Sequence, residues 1–139
     1  MKKKPIDIDA LVAAAVPPRE NPQLAFTIPG LRVDSETNSR EHWTKKRNRK
    51  KVQKAAVWAM WPRESNSAFL REVSCPCVVR FIRVGPKKLD DDNLAESFKA
   101  CRDEVARQIG YDDGSDFINW EYAQVPVGKR VYQVRVEVY

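Results

Sequence analysis

The chain has 139 residues and a net charge of +6, with 42% hydrophobic and 32% charged residues, which favours one soluble globular domain with a single core. No apolar run approaches the roughly 20 residues of a membrane span, and acidic residues interrupt the short apolar run behind the basic start, so neither a membrane protein nor an exported one is expected. We therefore expect a cytoplasmic protein in which the three cysteines, Cys75, Cys77 and Cys101, are reduced thiols.

The first part of the chain, residues 1–23, predicts a flexible extension. It contains one helix-prone patch, Asp9 to Val16, and the three prolines that follow prevent a long helix. The folded domain is expected over residues 24–139. Its first strand is predicted from Leu24 to Val33, with a kink at Pro29-Gly30.

A helix is predicted from Trp43 to Trp61 because apolar residues recur there at helical spacing, at Val52, Ala55, Ala56, Ala59 and Met60. The tract from residue 40 to residue 54 holds eight Lys or Arg residues and one acid, so its net charge of +7 exceeds that of the whole chain. Such a tract can neutralise the phosphates of a nucleic acid and release their counterions. We predict nucleic-acid contacts from Arg40, His42, Lys45, Lys46, Arg47, Arg49, Lys50 and Lys51. A solvated helix face is the alternative.

The second strand, predicted from Val78 to Val84, leads into an acidic stretch that begins at Asp90. If the chain there is extended, Asp90 and Asp92 lie on one face. Like charges about 4 Å apart repel by roughly 1 kcal/mol in water and about 4 kcal/mol at a partly buried site, so gathered carboxylates attract a cation. Two carboxylates on one face favour Mg²⁺, and Asp112 or Asp113 is available as a third ligand. Helix capping by solvated aspartates is the alternative interpretation.

A second long helix is predicted to start at an N-cap Asn93 and to end at Gly110. Its apolar stripe consists of Leu94, Phe98, Cys101, Val105 and Ile109. Lys99 lies off this stripe, where it either points toward a phosphate or pairs with Asp103 at i+4.

Two further strands, Ile118 to Pro126 and Val131 to Tyr139, are predicted at the end of the chain, where their proximity favours an antiparallel hairpin. The predicted order of elements is then β-α-β-α-β-β. This order has too few crossovers for a doubly wound sheet, so we expect an α+β fold with a small mixed β-sheet and two main helices.

Four motifs follow one another in the second half of the chain: Asp90-Asp91-Asp92-Asn93-Leu94, Lys99, Arg102-Asp103 and Gly110-Tyr111-Asp112-Asp113-Gly114. Together they resemble the signature of the RusA family of Holliday junction resolvases, in the form common among phage and prophage members. The resemblance extends to Ile28-Pro29-Gly30, to Asn38-Ser39-Arg40 with His42-Trp43, and to Trp120, Tyr122 and Gln124. It covers residues 24–139 and implies a RusA-like fold.

The resemblance implies a homodimeric endonuclease that uses Mg²⁺, or Mn²⁺ in its place, to resolve four-way DNA junctions by symmetric cuts in recombination and repair. It places the metal ligands at Asp90, Asp92 and Asp113 and the catalytic lysine at Lys99. The span from Asn93 to this lysine is longer than in the shorter members of the family. The alternatives are a non-catalytic basic DNA-binding module and a metal-dependent nuclease that acts on other branched nucleic acids.

Overall fold

The computed structural model describes residues 7–34, 43–63 and 72–139. Within these residues, four helices and four strands follow in the order α1 (Ile8–Ala15), β1 (Leu24–Pro29), α2 (Trp43–Met60), β2 (Cys77–Gly85), α3 (Asp91–Ser97), α4 (Lys99–Ile109), β3 (Ile118–Pro126) and β4 (Gln133–Val138). The strands form one mixed sheet, and the predicted α+β class is confirmed. None of the helices in these three ranges combines the length and the apolar character of a membrane span.

The sheet has the strand order β1-β4-β2-β3, in which β2 and β3 run parallel and β4 runs antiparallel to both β1 and β2. The predicted hairpin of the last two strands is therefore wrong, because β2 lies between them. Burial explains this order. Val134, Val136 and Val138 of β4 are fully buried, which suits a central strand, whereas β3 buries only Ile118 and Val125 and forms an edge.

Strand β2 contributes to two separate apolar clusters. Val79 and Phe81 point into the main core, which they share with residues of α2 and α4. Ile82 and Val84 belong to a second cluster on the other face of the sheet, as the alternation of the sequence predicts. In the main core, Phe81 stacks on Phe98 with ring centroids 4.8 Å apart. Both layers of the protein are therefore built on β2.

Helix α1 packs on the second face of the sheet. Its Val12 is buried and lies in one cluster with Ile82 and Val84 of β2. The helix-prone patch of the sequence is therefore a helix, and it contacts the sheet instead of extending away from it. The boundary between an extension at residues 1–23 and a domain at residues 24–139 stays a prediction.

Helix α2 covers nearly the predicted range, but of the apolar stripe predicted for it only Ala56 packs against the core. Its buried residues are Gln53 and Val57, and the buried Trp61 follows them, whereas Val52 is 63% exposed. Gln53 can lie inside because its Nε2 donates a hydrogen bond to the carbonyl oxygen of Arg32 (3.1 Å). The buried face of α2 therefore includes Gln53 in place of Val52. It differs from the predicted face by one residue, which is about 100° around the helix axis.

The second long helix of the prediction consists of two helices, α3 and α4, with a break at Phe98 (φ −94°, ψ 5°). Because α3 begins at Asp91, Asn93 is not the N-cap. The predicted apolar stripe is confirmed, with four fully or almost fully buried members, Leu94, Phe98, Cys101 and Val105, and a partly buried Ile109. Gly110 ends α4 with φ +98°, a left-handed conformation that glycine adopts without strain.

The three cysteines form no disulfide, in line with the expectation of free thiols. The Sγ atoms of Cys75 and Cys77 lie 3.8 Å apart, and Cys101 is buried in the main core. Burial raises the pKa of the Cys77 thiol to about 12, with a further contribution from Cys75, and it raises the pKa of Cys101 to about 12 as well. Both thiols therefore stay protonated, and weakly nucleophilic, at neutral pH.

Two identical substitutions in α2 test which of its faces is buried. Val57→Ala removes two methyl groups from the core and should lower the free energy of unfolding by about 2 kcal/mol. Val52→Ala makes the same change at an exposed position and should alter it by less than about 0.5 kcal/mol. Urea unfolding measures both. Equal losses, or a larger loss for Val52→Ala, would restore the stripe expected from the sequence.

Candidate nucleic-acid interface

A buried arginine fixes the loop that follows β2. Arg83 is 2% exposed, and its guanidinium donates hydrogen bonds to the carbonyl oxygens of Val33 and Lys87 (both 2.8 Å) and to Oδ1 of Asp34 (2.9 Å). Gly85 leaves room for it, since a Cβ there would lie 2.8 Å from the guanidinium. The segment after β1 and the loop after β2 are therefore held together immediately before the acidic stretch.

Gln124 of β3 holds the last residue before that stretch. Its Nε2 donates to the carbonyl oxygen of Leu89 (2.7 Å), and its Oε1 accepts from the Leu89 N–H (2.9 Å). One side chain thus satisfies both backbone groups of a loop residue, as a neighbouring strand would. Asp90, the next residue, is thereby fixed relative to the end of β3.

The acidic stretch forms the start of α3. Asp90 is the N-cap residue with an extended backbone (φ −63°, ψ 153°), and Asp91 and Asp92 occupy the first helical turn. The expectation that Asp90 and Asp92 share one face of an extended segment is therefore wrong, because the chain becomes helical at Asp91. All three residues are exposed. The positive end of the helix dipole favours carboxylates here, so the stretch has a structural role without a metal ion.

Asp113 lies beside the basic residues of α4. Its Oδ2 is 3.8 Å from Nζ of Lys99 and 3.6 Å from a guanidinium nitrogen of Arg102. Lys99 also lies 3.7 Å from Asp103, so of the two placements predicted for Lys99 the structure has the i+4 pair. The indole Nε1 of Trp120 donates to the carbonyl oxygen of Asp113 (2.8 Å) and fixes the turn.

The predicted metal ligands are not gathered into one site. Within residues 7–34, 43–63 and 72–139, no group of three or more His, Cys, Asp or Glu side chains is placed to hold a metal ion. Asp90 and Asp92 are at the start of α3, whereas Asp113 is paired with Lys99 and Arg102. Carboxylate oxygens suit Mg²⁺ chemically, but an ion at Asp113 would have to compete with Lys99 and Arg102 for that carboxylate.

Helix α2 presents a dense basic surface. Its cations are Lys45, Lys46, Arg47, Arg49, Lys50, Lys51 and Lys54, and its first turn contains no acidic residue. Six side chains line an open groove of about 490 Å³ along the helix: Trp43, Lys46, Arg47, Lys50, Lys51 and Lys54. Arg40 and His42, also predicted as contacts, lie outside the described residues. The described part of the basic tract is therefore helical and largely exposed.

The basic surface borders acidic residues, because α2 packs against α4. One cleft joins Lys50 of α2 to Glu96 of α3. A second cleft, of about 600 Å³, joins Lys54 of α2 to Asp112 and Asp113. A phosphate bound on α2 would therefore lie next to carboxylates of the region between α3 and β3.

Arg83 and Arg102 shape this region, and sequence reasoning gave neither of them a role of its own. The signal for Arg83 was its period-2 position in β2, which puts it on the same face as Phe81 and therefore requires a partner for its charge. Arg102 donates from Nη1 to the hydroxyl of Tyr122 (2.9 Å) while it contacts Asp113. No spacing rule predicts that second contact, because it depends on the path of the turn after α4.

Comparison of the chain with known proteins gives no match. No family model, no curated protein and no solved structure matches it.

The substitution Asp113→Asn tests whether the Asp113 carboxylate is stabilised by its basic neighbours or repelled by other aspartates. If the aspartates repelled each other, the substitution would raise the melting temperature. The contacts with Lys99 and Arg102 predict a small decrease instead, worth at most about 1 kcal/mol because these groups are partly exposed. Calorimetry without added metal measures the change. Asp116→Asn, at an exposed position in the same loop, serves as the control and should leave the melting temperature unchanged. An increase for Asp113→Asn would contradict the pairing.

Proposed function

We propose that the protein binds DNA through the basic surface of α2 and acts as an endonuclease on branched DNA. The observation that supports DNA binding is the groove along α2, which is lined by five cations and a tryptophan. Lysine and arginine bind phosphate oxygens and release the counterions that surround DNA. A polyanion is therefore the ligand class that suits this surface.

The repulsion between like charges on α2 also favours a polyanionic partner. Lys46, Lys50 and Lys54 follow one another at i,i+4, and Arg47 and Lys51 form a parallel row. Each like-charge pair at this spacing destabilises a helix by about 0.2–0.5 kcal/mol. The sequence of α2 itself contains no acidic residue, although Glu104 of α4 lies close enough to Lys54 for that lysine to help lower the pKa of the Glu104 carboxyl. A bound phosphate backbone would remove the repulsion, which gives the arrangement a purpose that a solvated face lacks.

Contacts of this kind position DNA without reading its sequence. Recognition of branched DNA would then depend on the shape of the substrate and on how two copies of the protein present their α2 helices. A homodimer suits a four-way junction because both have twofold symmetry. The junction and the homodimer enter this proposal through the resemblance to junction resolvases.

The proposed nuclease activity also depends on that resemblance, and on the acidic residues next to the basic surface. In this proposal Asp90, Asp92, Asp113 and Lys99 are the catalytic residues and Mg²⁺ is the cofactor. Because Asp113 is paired with Lys99 and Arg102 in the single chain, we assign no step of hydrolysis to the ion. Lys54 of α2 lines one cleft with Asp113, so α2 would position a phosphate beside that carboxylate.

A non-catalytic DNA-binding module is the second candidate. The observation that favours it is the same pairing of Asp113, which neutralises a carboxylate that a metal site would need. In that case the aspartates at the start of α3 serve the helix dipole alone. Both candidates share the role of α2, so experiments on binding and on cleavage separate them.

Neutralising two lysines of α2 tests the DNA contacts. Lys50→Gln with Lys51→Gln should weaken binding to a four-way junction and lower the slope of log K against log salt concentration by about 2, at roughly 0.9 per phosphate contact. Lys129→Gln with Arg130→Gln removes the same net charge from two exposed residues outside α2 and should leave the slope unchanged. Fluorescence anisotropy over a range of salt concentrations measures both. If both double substitutions changed the slope equally, the contacts would not be specific to α2 and the proposed interface would be wrong.

Asp92→Asn tests catalysis. We expect the parent protein to cut a synthetic four-way junction in the presence of Mg²⁺. The variant should lose cleavage because a proposed metal ligand is removed. It should bind the junction as tightly or more tightly, because it carries one negative charge less. Asp116→Asn is the control and should cut at the parent rate. Cleavage by Asp92→Asn at the parent rate would exclude Asp92 from catalysis, and a parent protein that binds but never cuts would establish the non-catalytic module.

A further inference from the structure

The first residue of α2 is a tryptophan on the protein surface. Trp43 is 62% exposed, and the guanidinium of Arg47 lies 6.0 Å from the centre of its ring. Tryptophan and arginine are enriched at binding interfaces relative to the rest of a protein surface. Indole rings in basic surroundings are also the side chains on which nucleobases stack.

Trp43 and the cations of α2 line one groove. Relative to Trp43, the groove-lining residues Lys46, Arg47, Lys50 and Lys54 follow at i+3, i+4, i+7 and i+11, which puts them on one side of the helix. The row from Trp43 to Lys54 is therefore about 16 Å long, at ~1.5 Å per residue. An aromatic platform at one end of a row of cations can hold a base and the phosphates that follow it.

This combination favours unpaired nucleotides over duplex. In a duplex the bases are stacked on each other, and a protein meets mainly the phosphates. Single strands leave the base faces open, and a charged groove combined with aromatic stacking is the common design of proteins that bind them without sequence preference. The other groove-lining side chains are Lys or Arg, which are donors only, so the groove offers no side-chain acceptor to the amino groups of bases.

We propose that Trp43 stacks on an unpaired base while Lys46, Arg47, Lys50 and Lys54 hold the adjacent phosphates, so that the protein prefers single-stranded segments to duplex. The inference rests on the proposed role of α2 in DNA binding and adds the state of the strand that α2 contacts. It also gives a reason for an affinity for branched DNA, since bases that are open at a branch can reach the ring.

Oligothymidylate and a duplex of equal length are the probes. Trp43→Ala should weaken binding of the single strand by about 5- to 150-fold, the range for loss of one stacked base, and change duplex binding far less. Trp43→Phe keeps an aromatic face and should restore most of the affinity. Phe117→Ala removes another exposed aromatic side chain (52% exposed) that lies outside α2, and it should change neither affinity. Because Trp43 is exposed, its variants should fold like the parent protein, and their melting temperatures verify this.

Indole fluorescence gives an independent measurement. The chain has four tryptophans, and stacking on Trp43 should quench part of the emission when oligothymidylate binds. Trp43→Phe should bind the oligonucleotide but lose this quenching. Two results would overturn the inference while leaving DNA binding by α2 in place. The first is quenching in Trp43→Phe as large as in the parent protein, and the second is a ratio of single-strand to duplex affinity in Trp43→Ala that equals the parent ratio. Absence of binding to every probe, the four-way junction included, would overturn the proposed function as well.

Discussion

The buried guanidinium of Arg83 is the constraint on which the other contacts of the site depend. A charged group inside a protein is costly unless its donors are paired, and Arg83 pairs them with the segment after β1 and the loop after β2. Burial alone would raise the pKa of the Asp34 carboxyl, but hydrogen bonds from Arg32 and Arg83 hold it below its ordinary value. The contribution of this link to stability is therefore complete at neutral pH and is lost as the pH falls through the lowered pKa.

From this link the two halves of the candidate site take their positions. The segment after β1 accepts the hydrogen bond of Gln53 and so determines which face of α2 is buried and which cations stay outside. The loop after β2 continues to Leu89, where Gln124 fixes the start of α3. Basic and acidic surfaces thus come to lie side by side along the packed helices. That juxtaposition suits a protein that binds phosphates and either cuts beside them or simply holds them.

Much of the fold followed from periodicity. The bounds of β3 and the alternation of β2 were predictable because the apolar residues there repeat cleanly, and the stripe from Leu94 to Val105 marked its buried face for the same reason. Periodicity failed where a polar residue entered the core, as at Gln53, and where pairing depended on a loop that crosses a strand, as between β3 and β4. The positive charge of α2 could be predicted from its amino-acid composition alone. The pairing of Asp113 was not, because the turn after α4 decides which charges it meets.

The central claim is that α2 is the surface that contacts nucleic acid. Lysine acetylation, followed by mass spectrometry with and without a bound four-way junction, tests it residue by residue in the unmodified sequence. We predict that DNA protects Lys46, Lys50, Lys51 and Lys54, which line the groove, while Lys129, an exposed lysine outside α2 and the acidic stretch, reacts as in the free protein. Protection confined to lysines outside α2, or equal protection of Lys129 and the four groove lysines, would contradict this claim.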